Sequence, residues 1–238
     1  MYFSSKLNTH IIKAYTVHVF TTCGMICGIM AIQSIFNENL KLTFFWLGIA
    51  LIIDGTDGFF ARRYEVTKFA PRINGVILDA IVDFFNYVIL PVIIILRFDF
   101  LPQRFELITV ILILFASCFT FSNTKQKTKD NYFEGFPAIW NVLILDFFIL
   151  NTSMMLNFII VLICVVLTFI PIKYVHPLRV QSLRPLAILS FLLWGISSML
   201  LLFWEKETQT SNFILLIWII SNLMILFFTI KRTFKKPN

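Results

Sequence analysis

The sequence predicts an all-α integral membrane protein, a polytopic helical bundle of about eight transmembrane helices with both termini in the cytoplasm. The composition is one reason, because 58% of the 238 residues are hydrophobic and the mean hydropathy is +0.85, well above the usual range of a soluble domain. The length of the apolar runs is another, because they approach or exceed the ~20 residues that a bilayer-spanning helix needs. They also lack the two-residue alternation of a membrane β-barrel.

The predicted spans begin and end where polar residues interrupt the apolar runs. The residues before Ala14 contain no short apolar core followed by a small-residue cleavage site, so we predict no removable signal peptide. The fifth span is the weakest, because it is short and contains Asn141 and Asp146. No linker or soluble segment separates the spans, so residues 1–238 are predicted to form one domain. The spans are Ala14–Phe36, Lys41–Phe60, Gly75–Leu96, Phe105–Asn123, Pro137–Leu150, Met155–Lys173, Pro185–Trp204 and Asn212–Ile230.

The basic residues predict the orientation of this layout. With eight spans, both termini and three loops lie on one side, and that side collects 16 of the 20 Lys and Arg residues. Because cytoplasmic segments carry the excess of basic residues, both termini are predicted to be cytoplasmic. The net charge of +7 is then explained by topology and by attraction to anionic lipid headgroups, and no nucleic-acid partner is expected.

Four aspartates lie inside the second and third predicted spans. Asp54 and Asp57 are three residues apart, and Asp79 and Asp83 are four apart, so each pair lies on one face of its helix. On antiparallel helices the two pairs form a four-cornered box near the cytoplasmic end. One carboxylate at the centre of a membrane helix costs roughly 2.5–3.5 kcal/mol on insertion scales, and four like charges repel one another. The cluster therefore predicts bound Mg²⁺, Mn²⁺ or Ca²⁺, with room for two ions.

Small residues and one arginine flank these carboxylates. Gly58 and Ala61 follow Asp54 by four and seven residues and leave room for a bulky ligand beside the helix. Gly75 lies one turn before the first aspartate of the facing helix, and Arg62 extends the acidic face toward the cytoplasm. Metal ions and an arginine together can bind a pyrophosphate and stabilise charge during its transfer. The segment therefore predicts a metal-assisted pyrophosphate site.

A divalent-cation transporter is the alternative from another functional class, because it would use the same aspartates. It would not need the glycine, alanine and arginine at fixed spacing, and it would carry acidic residues in several other spans. Apart from Asp146, and Glu106 at the edge of the fourth span, the other spans contain no acidic residue. Simple salt-bridge pairing is disfavoured as well, because few basic residues lie at the depth of the aspartates.

The arrangement resembles the signature of the CDP-alcohol phosphotransferases, a family of polytopic membrane enzymes. The family pattern, D-x2-D-G-x2-A-R-x8-G-x3-D-x3-D, is matched at every specified position from Asp54 to Asp83. One departure is that twelve residues, not eight, separate Arg62 from Gly75. The insertion lies in the predicted loop and leaves the spacing within each helix intact. The longer loop, with segments 17–21, 133–141 and 174–180, is similar to the branch of the family that makes phosphatidylcholine.

The resemblance implies a reaction in which CDP-diacylglycerol and choline give phosphatidylcholine and CMP, in a bacterial inner membrane with the active site facing the cytoplasm. Serine, inositol phosphate and glycerol phosphate are the alternative acceptors. The resemblance also implies two Mn²⁺ or Mg²⁺ ions held by the four aspartates. Asp83, or a partly shared Asp79, would take the proton of the choline hydroxyl. Membrane lipids are further partners, and a homodimer is compatible with the sequence. The CDP portion would lie against Gly58, Ala61, Arg62 and Gly75.

Choline is a quaternary ammonium, which is best held by aromatic faces with help from a carboxylate. The segment from Tyr132 to Trp140 supplies four aromatic residues and one acid, Glu134. Anionic acceptors would require extra basic residues, so this segment favours choline. An aromatic belt at the membrane interface is the alternative interpretation. The residues predicted to contact choline are Glu134, Trp140, Tyr87 and Asn86.

Histidine and arginine side chains outside the aspartate motif provide further candidates. His176 and Arg179, in the loop after the sixth span, are predicted to contact the lipid phosphate of CDP-diacylglycerol, with topogenic positive charge as the alternative. His18 lies in the cytoplasmic third of the first span. Its side chain makes either a structural hydrogen bond or a contact with the site.

Overall fold

The computed structural model describes residues 2–124, 128, 132–175, 184–204 and 208–234. Helices dominate these segments, which confirms the all-α fold class, and two short strands are the only extended pairing that they contain. The elements are α1 (Tyr2–Phe36), α2 (Leu40–Arg63), α3 (Val66–Phe69), α4 (Gly75–Phe84), a π-helical segment (Phe85–Ile89), α5 (Leu90–Arg97), α6 (Gln103–Ser122), β1 (Phe133–Glu134), α7 (Trp140–Leu150), α8 (Met154–Leu167), β2 (Lys173–Tyr174), α9 (Arg184–Phe203) and α10 (Gln209–Phe234).

Six helical stretches in the described parts of the chain are long and apolar enough to cross a membrane, which supports an integral membrane protein. They correspond to the first four and the last two predicted spans. The fifth and sixth predicted spans form α7 and α8, which have 11 and 14 residues. At 1.5 Å per residue these helices measure roughly 17 and 21 Å, less than the ~30 Å hydrocarbon core. The predicted count of eight membrane crossings is therefore not confirmed.

Asparagine side chains set the beginnings of α2 and α4. Asn39 Oδ1 accepts a hydrogen bond from the backbone N–H of Leu42 at 3.0 Å. Asn74 Oδ1 accepts from the backbone N–H groups of Val76 at 3.1 Å and Ile77 at 3.3 Å. Such caps satisfy N–H groups that have no carbonyl partner in the first turn. The Asn74 cap fixes the first turn of the helix that carries the second pair of aspartates.

The chain divides into two compact units, residues 1–90 and 91–238. In the first unit, α1 packs along α2 and also contacts α3, α4 and the π-helical segment. The segment between α2 and α4, which sequence analysis treats as a loop, contains α3. Val66 and Ala70 of this segment pack with Ala14 and Val17 of α1 in one buried apolar cluster. The additional residues of the loop are therefore anchored on α1.

Gly24 and Gly28 allow α1 to approach α4 and the π-helical segment closely. A Cβ at Gly24 would lie 2.8 Å from Val82 Cγ1, and one at Gly28 would lie 2.5 Å from Phe85 Cε1. Asn86 reinforces this contact, because its Nδ2 donates to the Gly24 carbonyl at 3.1 Å and to the Val82 carbonyl at 3.0 Å. Small residues four positions apart are a common means of packing membrane helices at short distance.

Replacing Gly28 with alanine is expected to destabilise the first unit by roughly 1–3 kcal/mol, the usual cost of overpacking a close contact. The midpoint of thermal unfolding in detergent should therefore fall. Gly195→Ala in α9 is the matched control, because a Cβ there meets no atom within 4 Å. Its midpoint should stay unchanged or rise, since alanine favours a helix by about 1 kcal/mol over glycine. Equal midpoints for the two variants would contradict the close packing.

The helix that begins at Gly75 continues to Arg97 and contains the π-helical segment Phe85–Ile89. Both Asn86 and Tyr87 lie in this segment and are buried. A π-helical turn contains more residues than an α-helical one and therefore changes the direction in which the following side chains point. Such turns are rare and occur frequently at functional sites. Here the segment begins two residues after Asp83.

The second unit is held by helix packing and by buried tryptophan hydrogen bonds. Helix α10 packs against α9 and β2, and α6 packs against α8. Trp140 Nε1 donates to Ser117 Oγ at 2.8 Å, and Trp218 Nε1 donates to Ser198 Oγ at 3.0 Å. Because a buried indole N–H without a partner is costly, these bonds stabilise the interior. Strands β1 and β2 pair in antiparallel register, with Glu134 opposite Lys173.

Candidate metal and nucleotide site

Three carboxylates converge where α2 and α4 carry the aspartate motif. One oxygen from each of Asp54, Asp57 and Asp79 lies within 4.8 Å of the other two, and we call these residues the carboxylate trio. Asp57 is 7% exposed, and the other two side chains are partly buried. Three oxygen ligands at this separation suit a hard divalent cation, which would also offset their mutual repulsion. The trio therefore fits the cation that the sequence predicts.

Asp83 lies four residues after Asp79 on α4 and is partly buried. Among the described residues, its carboxylate does not belong to the group formed by the trio. Three of the four carboxylates that the sequence places in one box thus lie together, and the metal-binding and proton-accepting roles of Asp83 stay predictions.

Two hydroxyl groups from outside the motif donate to the trio. Thr21 Oγ1 donates to Asp57 Oδ2 at 2.7 Å, and Tyr87 Oη donates to Asp54 Oδ2 at 2.6 Å. Both hydroxyl-bearing residues are buried. The sequence predicts choline contacts for Tyr87, whereas in the structure its hydroxyl donates to an aspartate. A choline contact through the ring of Tyr87 stays a prediction.

Thr21 is a site residue that the sequence analysis does not identify. It lies in α1, outside the aspartate motif, although it ends one of the segments that carry the family resemblance. A signal was available, because Thr21, Gly24 and Gly28 are spaced by three and four residues and so share one stripe of α1. The two glycines on that stripe mark the face of α1 that packs closely, and a polar residue on that face is a candidate for a buried contact.

His18 lies on α1 beside Gly75. Its side chain is 5% exposed, and a Cβ at Gly75 would lie 3.3 Å from His18 Cε1. Gly75 therefore leaves the space that the edge of the imidazole occupies. Within the described parts of the chain, the buried Nε2 of His18 has no hydrogen-bond partner. A structural hydrogen bond through this atom is thus not observed there, and a contact with a ligand stays a prediction.

The other positions predicted to bind the CDP portion lie around the trio. Arg62 is exposed in the last turn of α2. Ala61 is partly buried and packs against the apolar cluster between α1 and the α3 segment. Gly58 follows Asp57 directly and is partly buried. The roles of these residues in binding the nucleotide stay predictions.

The predicted choline contacts Glu134 and Trp140 belong to the second unit, whereas the trio belongs to the first. Trp140 is 1% exposed, and its ring centroid lies 4.8 Å from that of Phe136. A quaternary ammonium requires an accessible aromatic face. The Trp140 indole is too enclosed to offer such a face at the surface. The structure thus favours a structural role for Trp140. Choline contacts by Glu134 and Trp140 stay predictions.

Three further candidates complete the sequence-predicted set. Asn86 is 2% exposed, and its Nδ2 donates to the carbonyls of Gly24 and Val82, so its choline contact stays a prediction. His176 and Arg179 lie outside the described residues. Their predicted contacts with the lipid phosphate are therefore not tested by the structure.

Comparison with known proteins points to one family. Residues 16–170 match the family described as CDP-alcohol phosphatidyltransferase, and this range includes every residue of the trio. A Pseudomonas aeruginosa protein named phosphatidylcholine synthase is 41% identical over 190 residues, which cover 80% of each chain. Proteins of the same name are 39% identical in Borreliella burgdorferi, covering 80% of this chain and 83% of the relative, and 34% identical in Legionella pneumophila, covering 93% and 89%.

Proposed function

The chain belongs to the CDP-alcohol phosphatidyltransferase family, and from this premise we propose that it transfers the phosphatidyl group of CDP-diacylglycerol to choline, giving phosphatidylcholine and CMP. The observation that carries the chemistry is the carboxylate trio, whose three oxygens lie within 4.8 Å of one another. The choline acceptor is supported by relatives named phosphatidylcholine synthase that align over most of the chain.

The trio would hold a divalent cation, and Mn²⁺ or Mg²⁺ suits a set of ligands made only of oxygen. Two such ions are proposed, with Asp83 contributing to the second. When bound, divalent cations offset the charge of the pyrophosphate and of the departing CMP.

The side chains around the trio would position the substrates and move one proton. Asp83 would accept the proton of the choline hydroxyl. The hydroxyl oxygen then forms a bond to the β-phosphorus, while the bond from this phosphorus to the oxygen shared with CMP breaks, and CMP leaves with that oxygen. Arg62 would pair with a phosphate, and Gly58 and Gly75 would leave room for the nucleotide. Alignment of the two substrates by the site accounts for a large part of such a rate enhancement.

We further propose that both termini and the site face the cytoplasm, in a bacterial inner membrane. The 16 to 4 partition of basic residues supports this orientation. This orientation is the same whether α7 and α8 both cross the membrane or both do not, because two consecutive crossings return the chain to the side on which it started. A reporter fused after Asn238 that is labelled from the outside of intact cells would contradict this orientation.

Supplying CDP-diacylglycerol, Mn²⁺ and labelled choline to the purified protein is expected to yield labelled phosphatidylcholine and an equal amount of CMP. Parallel reactions contain serine, inositol phosphate or glycerol phosphate in place of choline. An Asp57→Asn preparation, purified in the same way, measures activity from contaminating enzymes. Product with another alcohol but not with choline would contradict the acceptor. No product with any alcohol would contradict the transferase activity and favour the cation-transporter alternative.

A further inference from the structure

We propose that two hydroxyl groups outside the aspartate motif orient two of its carboxylates toward a divalent cation, an inference that rests on the proposed function. The hydroxyls belong to Thr21 of α1 and Tyr87 of the π-helical segment. Each hydroxyl donates its proton to a carboxylate of the trio, so the proposal assigns both residues a positioning role.

The Thr21 hydroxyl departs from the usual behaviour of threonine in a helix. A helical threonine commonly donates to the carbonyl four residues earlier, and neighbouring Thr22 does so, with Oγ1 at 2.8 Å from the His18 carbonyl. Thr21 Oγ1 lies 3.3 Å from the Val17 carbonyl but 2.7 Å from Asp57 Oδ2. Its single proton is best placed on the shorter contact, which joins α1 to the most buried member of the trio.

The Tyr87 hydroxyl belongs to a residue that follows the aspartate motif in the sequence, whereas Thr21 precedes it. Tyr87 Oη donates to Asp54 Oδ2 at 2.6 Å, and the residue is only 6% exposed. The π-helical segment that contains Tyr87 thus presents a hydroxyl to a carboxylate of α2.

These two bonds fix the directions of the ligand oxygens. A carboxylate can rotate about its Cβ–Cγ bond, and a hydrogen bond to one oxygen sets the plane in which both oxygens lie. Loss of one group that hydrogen-bonds to a metal ligand commonly lowers the metal affinity by roughly 10–100-fold. Because the two hydroxyls come from different elements, α1 and the π-helical segment both contribute to a site whose ligands lie on α2 and α4.

Removal of either hydroxyl is therefore expected to raise the dissociation constant for Mn²⁺ by roughly 10–100-fold. The test is a titration of the purified full-length protein with Mn²⁺ alone, in which the free ion is measured by electron paramagnetic resonance. Thr21→Val and Tyr87→Phe remove one hydroxyl each, while Thr21→Ser keeps it and should bind Mn²⁺ like the wild type. The Mn²⁺ concentration that gives half-maximal transfer should shift by the same factor.

Matched controls separate this role from a contribution to folding. Thr22→Val removes a hydroxyl that bonds only within α1, and Tyr64→Phe removes one from a ring that stacks on Phe60. Both should bind Mn²⁺ like the wild type. Thermal unfolding without metal identifies any variant that is simply unstable. Thr21→Ser and Thr21→Val then compare the presence and the absence of the hydroxyl at the same position.

Two outcomes would overturn the inference, and they are distinguishable from each other. If the wild type binds Mn²⁺ in a manner lost in Asp57→Asn, but Thr21→Val and Tyr87→Phe bind equally well, the hydroxyls do not orient the ligands and the proposed function stands. If the wild type binds no Mn²⁺ and transfers no phosphatidyl group, the proposed function and the inference fail together.

Discussion

Asp57→Asn is expected to lower the rate of phosphatidyl transfer by on the order of 10³-fold or more. Metal ions contribute several kcal/mol to the stabilisation of charge in such a reaction, and each ~1.4 kcal/mol corresponds to a factor of ten in rate. Asp57 is the most buried member of the trio, and its oxygen lies within 4.8 Å of those of Asp54 and Asp79. Asparagine keeps the shape of the side chain and its ability to accept from Thr21, so the change removes mainly the charge.

The measurement compares turnover and Mn²⁺ binding in the same preparations. Asp99→Asn is the matched control, because Asp99 is exposed after α5 and is not a member of the trio. It should retain the activity of the wild type, whereas Asp57→Asn should lose both turnover and Mn²⁺ binding. Turnover within tenfold of the wild type in Asp57→Asn would show that the trio does not hold a catalytic metal.

Local spacing explains why the centre of the site could be predicted from the sequence. Asp54 and Asp57 share a helix face because they are three residues apart, and this holds whatever the rest of the chain does. The contribution of α1 could not be read from the motif, because Thr21 reaches Asp57 through helix packing across 36 positions of the sequence. The choline contact expected of Tyr87 is based on residue type, whereas its bond to Asp54 depends on tertiary structure.

Apolar composition predicts helices more reliably than it predicts their lengths. The fifth predicted span begins at Pro137, but α7 begins at Trp140, because Ala138 has a φ of +55°, which lies outside the right-handed helical region. The backbone before this residue is held by hydrogen bonds to distant parts of the chain. The N–H groups of Gly135 and Phe136 donate to the carbonyls of Ile172 and Leu167, at 2.9 and 3.1 Å. These contacts are distant in sequence, and hydropathy contains no information about them. The residue at which this helix begins is therefore set by tertiary structure and not by hydropathy.

Replacing Asp83 with asparagine is expected to separate proton transfer from metal binding by the trio. A general base typically contributes 10²–10⁴-fold, so kcat should fall by about that factor. The trio should still bind Mn²⁺ with the affinity of the wild type, because the Asp83 carboxylate does not belong to that group. Asp83→Asn should thus differ from Asp57→Asn, which loses both properties.

The two properties are measured on one Asp83→Asn preparation, with single-turnover transfer for the chemical step and an Mn²⁺ titration for the trio. A loss of Mn²⁺ affinity as large as that of Asp57→Asn would show that Asp83 is required to hold the first ion, and its effect on turnover could then be explained without a role as base. Turnover near that of the wild type would instead assign proton acceptance to another group, for which the sequence offers Asp79. Lost turnover with the wild-type number of bound Mn²⁺ ions is the combination that the proton-accepting role explains, because loss of the second ion would lower that number and a group that merely supported the fold would lower the affinity of the trio as well.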